Sequence, residues 1–98
     1  MNNMESFEER LYNHWIYTYN LYNIGGDISY DLRKQFGNDN VDEDPYDKGK
    51  YFTLTIKDPE ILSQAINHFE YIRDQDENYY GDIKYKIEGD KMLFYIEI

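Results

Sequence analysis

Residues 51–72 read YFTLTIKDPEILSQAINHFEYI, and this run decides the fold class. Phe52, Leu54 and Ile56 alternate with Thr53 and Thr55, the period of a strand with one apolar face. Asp58-Pro59-Glu60 then starts a helix. The aspartate can cap free backbone amides, and proline at the first helical position gives up an N–H that has no partner there. Ile61, Leu62, Ala65, Ile66, Phe69 and Ile72 recur at helical spacing, so this helix buries one face. A lone strand feeding an amphipathic helix needs further strands to complete a sheet.

The downstream sequence supplies them. Ile83, Tyr85 and Ile87 alternate with charged residues, Gly89-Asp90 makes a turn, and Met92, Phe94, Ile96 and Ile98 alternate again. This pair predicts a β-hairpin with one apolar face and one wet face. Upstream, Ser6-Phe7-Glu8-Glu9 fits a capping box, and Phe7, Leu11, Trp15, Thr18 and Tyr22 form a helical stripe. From His14 to Tyr22 a strand-like alternation fits as well, with Trp15, Tyr17, Tyr19 and Leu21 on one side. The cap and the acidic first turn favour the helix.

Gly25-Gly26 predicts the end of that helix, and Asp27 the cap of a short second one carrying Ile28, Leu32 and Phe36 and stopped by Gly37. Residues 38–47 and 74–78 read as acidic loops. The expectation for residues 1–98 is a single acidic α+β domain. Two N-terminal helices precede a β-α-β-β run, with the helices packed on one face of a small, mainly antiparallel sheet.

Composition narrows the function classes. The 98 residues carry 20 acids against 10 bases, a net charge of −10, with 18% aromatics that include 12 tyrosines. So much aromatic surface does not belong to a disordered acidic tail. The absence of cysteine excludes disulfides, thiolate metal sites and a cysteine nucleophile. The charge argues against direct binding to nucleic acid. No run reaches the ~20 apolar residues of a membrane span, and MNNMESFEER lacks the basic-then-apolar layout of a secretion signal. A cytoplasmic protein with no membrane contact is expected.

Tests for chemistry return little. An EF-hand loop needs Gly at its sixth position and Glu at its twelfth; counted from Asn38 these are Glu43 and Gly49, and counted from Asp74 they are Tyr79 and Tyr85. The acidic loops therefore predict weak divalent-cation binding at most. His14 and His68 stand in no metal-binding spacing, and Gly25-Gly26 lacks the lysine of a phosphate loop. Neither an enzyme nor a bound cofactor or metal is expected.

The acids are grouped, and tyrosines stand among them. Asp39, Asp42, Glu43, Asp44 and Asp47 surround Tyr46; Asp74, Asp76 and Glu77 precede Tyr79 and Tyr80. Carboxylates accept paired hydrogen bonds from arginine, and tyrosine supplies rigid contact area and faces for cations. These residues are the expected contacts for a basic protein that normally holds nucleic acid, since rows of carboxylates imitate rows of phosphates. Phage anti-defence inhibitors such as anti-CRISPR and anti-restriction proteins are of this physical type, as are immunity proteins and antitoxins directed at nucleases. No residue motif ties the chain to any of them. A structural or scaffold homodimer, formed through the aromatic first helix or a free sheet edge, is the expectation from a different class. Tyr22 is expected in the core, and Tyr17 at a contact.

Overall fold

The computed structural model describes the backbone of residues 7–47 and 51–96, and their side chains apart from residues 7–18, 46, 47 and 79. The fold is α+β. Helix α1 spans Phe7–Phe36, a short 3-10 turn covers Asn38–Asn40, and strands β1 (Asp42–Asp47) and β2 (Tyr51–Thr55) follow. Helix α2 (Pro59–Gln75) and the one-turn α3 (Glu77–Tyr80) lead into β3 (Ile83–Glu88) and β4 (Lys91–Ile96). The strands form an antiparallel sheet in the order β1-β2-β4-β3. β2 and β3 consequently run parallel, joined by the α2 crossover, with β4 inserted between them.

The run that decided the fold class behaves as expected. Asp58 accepts a hydrogen bond from the Glu60 amide at 2.8 Å, Pro59 opens α2, and Ile61, Ala65 and Phe69 are buried. The hairpin turns at Gly89-Asp90, where Gly89 takes φ 64° and Glu88 pairs with Lys91. Phe52, Phe94 and Tyr85 lie in one row across three strands. Both helices pack on that row: Tyr22 of α1 meets Phe52 edge-on at 5.9 Å, and Phe69 of α2 lies 5.1 Å from Tyr85 and 5.4 Å from Phe94. Helices therefore cover one face of the sheet.

Two expectations are corrected. The two N-terminal helices are one continuous helix of 30 residues, and Gly25-Gly26 lies inside it. Leu21, Ile24, Ile28 and Leu32 form a buried stripe across the glycine pair. Burying four such side chains yields ~1.5–3 kcal/mol each, against ~1 kcal/mol per helical glycine, so tertiary packing overrides the local stop. Gly25 has a packing role: a Cβ there would sit 2.4 Å from Cδ1 of Phe52. The stop comes where Gly37 was expected to provide it, at φ 98°, with its amide donating to the Arg33 carbonyl.

The second correction concerns the acidic segments. Residues 42–47 form a strand, not a loop, at the sheet edge, with its register broken between Asp44 and Asp47. An edge strand tolerates Pro45, and its carboxylates discourage pairing with another chain's strand. Asp74 and Gln75 complete α2, Asp76 caps its C-terminus, and Glu77 begins α3. Sheet pairing and helix packing imposed order on segments whose own residues favour neither.

Candidate protein-binding surface

Side-chain alternation divides β1 between two faces. Val41, just before the strand, is fully buried in the core. Glu43 turns to the same side, where its Oε1 accepts from the Ser29 hydroxyl at 2.7 Å and from Arg33 Nη1 at 3.1 Å. Arg33 also donates to the Val41 carbonyl at 2.8 and 3.2 Å, so one arginine fastens the edge strand to α1. Asp42 and Asp44 point to the opposite, open face and are exposed, with Asp39 exposed in the turn before them. Asp42 and Asp44 stand two residues apart, ~6.6–6.8 Å along the strand.

Of the predicted contacts, Asp39, Asp42 and Asp44 are thus exposed near one another along the chain, while Glu43, also exposed, is held by Ser29 and Arg33. Ser29 is completely buried, and its hydroxyl depends on Glu43. Glu43→Ala is expected to cost about 1–3 kcal/mol, the loss of a charged hydrogen-bonding partner beneath a buried hydroxyl. Urea denaturation followed by circular dichroism reads this; a loss below ~0.5 kcal/mol would show that the clamp does not hold the strand. Neutralising Asp42, Glu43 and Asp44 together would mix binding with stability.

The second acidic group lies elsewhere. Asp74, Asp76 and Glu77 are exposed near the start of β3, the other edge of the sheet. Asp42 pairs with Thr55, which pairs with Lys91 and so with Glu88, at the end of the sheet opposite Ile83. Three strand spacings across and five residues along put the two groups ~20 Å or more apart. They form two corners, not one continuous patch. Tyr80 is half-buried against the core, as is Tyr22. The side chains of Tyr46, Asp47, Tyr79 and Tyr17 lie outside the described ones.

The open face of the sheet differs in character from the edge. Tyr51 and Tyr95 meet edge-on at 6.1 Å, and Lys86 Nζ lies 4.9 Å from the Tyr51 ring centre. Lys86 donates to the Tyr51 hydroxyl at 3.3 Å and pairs with Glu88, and these contacts raise its pKa above the usual lysine value. Between α1 and α2, a polar groove is lined by Gln35, Gln64, Asn67, His68 and Tyr71. His68 Nε2 there faces the Asp31 carboxylate at 2.5 Å.

Among the described residues, no three His, Asp or Glu side chains converge to hold a metal ion, and no helix is long and apolar enough to cross a membrane. Comparison with protein-family models, curated proteins and solved structures found no match, so function is argued from the chain's own residues.

Proposed function

We propose that the protein is a non-enzymatic inhibitor that binds a basic, nucleic-acid-handling protein in the cytoplasm and occludes its nucleic-acid site. The observation that carries this reading is the exposed acidic corner of Asp39, Asp42 and Asp44 on a chain of charge −10. Glu43 and Arg33 fix the strand that carries Asp42 and Asp44, so little ordering entropy is lost there on contact. Long-range attraction would speed encounter with a Lys/Arg-lined channel, and the carboxylates would then occupy phosphate positions. Asp74, Asp76 and Glu77 would reach a second basic patch on a partner broad enough to span both corners. A phage anti-defence role, against a CRISPR or restriction enzyme, fits this chemistry, as does neutralisation of a nuclease by an immunity protein or antitoxin.

The test begins with tagged protein on beads, host lysate and elution by rising salt. A captured basic protein must then be displaced by excess oligonucleotide. The double exchange Asp42→Asn with Asp44→Asn is expected to weaken that complex at least tenfold, ~1.4 kcal/mol, with the circular-dichroism spectrum of the folded chain retained. Affinity should also fall as salt rises from ~0.05 to 0.5 M, because screening shortens the reach of exposed charges. A complex that tolerates both saturating oligonucleotide and the double exchange would sink the occlusion reading.

A further inference from the structure

The acidic edge leaves unexplained what α1 presents on its outer side. Thirty residues at 1.5 Å make a helix ~45 Å long, whereas six-residue strands extend ~20 Å. Ser29 and Arg33 pin its C-terminal part beside β1, so its N-terminal part overshoots the sheet, in keeping with a longest dimension of 51 Å. Tyr19 and Ile28 are nine residues apart, which places them on opposite sides of the helix. Ile28 is buried, while Tyr19 is 49% exposed and Tyr30 66% exposed.

Tyr19 and Tyr30 belong to a longer pattern. Positions 12, 16, 19, 23, 26 and 30 carry Tyr, Ile, Tyr, Asn, Gly and Tyr. Their spacing alternates four and three, the seam of a helix that packs on another helix. At Gly26 nothing lies within 4 Å of where a Cβ would be, and an open groove of about 590 Å³ runs from Gly26 past Tyr30, Arg33 and Lys34 to Asn38 and Glu43. The surrounding charge is equally selective. Residues 10–26 contain no acid, in a chain with 20 of them. Two copies can therefore bring residues 10–26 together without opposing acids, while Asp27 and Asp31 flank the rest of the seam.

We infer that a second copy of the chain docks on this seam, the two α1 helices lying antiparallel about a two-fold axis near residue 21. That register sets position 12 opposite 30, position 16 opposite 26 and position 19 opposite 23. Bulky Ile16 thus falls opposite Gly26, whose missing side chain lets the helices approach. The same register brings Glu8 and Glu9, at the acidic start of the helix, to the last turn with Lys34. A parallel pair would instead oppose like charges at both ends. Covering the exposed parts of Tyr19 and Tyr30 in both copies makes a small contact, of the size that goes with reversible pairing. The pairing is independent of the acidic corner and does not require the inhibitor reading.

Sedimentation of the full chain across a range of concentrations tests it. A reversible monomer–dimer equilibrium is expected, with Gly26→Leu raising the dimer dissociation constant at least tenfold and leaving the helical signal undiminished. Orientation is read by disulfide trapping, since the chain has no cysteine of its own. Tyr12→Cys with Tyr30→Cys in one chain should cross-link two copies under mild oxidation, and each single variant should not. A chain that stays monomeric at all concentrations, or a dimer indifferent to Gly26→Leu, overturns the seam. Cross-linking by a single variant overturns the antiparallel register.

Discussion

Gly25→Ala is expected to destabilise the protein by about 1–3 kcal/mol, while Gly26→Ala, one residue further on, is expected to stabilise it by about 0.5–1 kcal/mol. Both exchanges remove the entropic penalty of glycine in a helix, which favours the alanine forms. At position 26 nothing within the same chain opposes the gain, because the new methyl meets open space. At position 25 the methyl would lie 2.4–2.8 Å from three atoms of the Phe52 ring. That ring is held between Tyr22 and Phe94 and is only 3% exposed, so it cannot swing aside without disturbing the core. Overpacking of this kind costs ~1–3 kcal/mol. Urea denaturation of the two variants side by side measures the contrast. Equal stabilisation by both would mean that α1 does not lie as close to β2 as described.

Phe69→Ala should have the larger effect, a loss of about 3–5 kcal/mol. Phe69 is fully buried and is the principal contact between α2 and the sheet, touching Tyr85 and Phe94, with the Arg73 guanidinium 5.1 Å from its ring centre. Domains of this size are stable by only ~5–15 kcal/mol, so this one truncation removes a large share of the total. The expected readout is a much lower urea midpoint with the slope retained. A loss of less than ~1 kcal/mol would show that α2 is not seated through this residue. Arg33 and Glu43 provide a comparable fastening at the opposite edge, but through partly exposed charges, and the expected cost there is correspondingly smaller.

The sequence by itself determined the elements whose local signals agree with their surroundings. Asp58-Pro59 supplies both the cap and the preset backbone of α2, and Gly89-Asp90 supplies the hairpin turn between two alternating runs. Those segments would adopt the same structure in many contexts, because short-range chemistry and burial favour the same outcome. The charge of −10 and the two acidic clusters were equally legible.

Only the tertiary structure decided the rest. Gly25-Gly26 carries a strong local stop, yet the buried stripe from Leu21 to Leu32 continues the helix through it, since burial outweighs two glycine penalties. Residues 42–47 have poor strand formers and a proline, but pairing with β2, burial of Val41 and the Arg33–Glu43 contact make them an edge strand. Which acids meet α1 follows from that strand's alternation: Asp42 and Asp44 lie on the open side, and Glu43 lies on the side of α1, partly exposed. Distance along the chain carries no information about the sheet order that sets the two acidic groups at opposite corners. Such placements depend on contacts between residues far apart in sequence, and no local propensity encodes them.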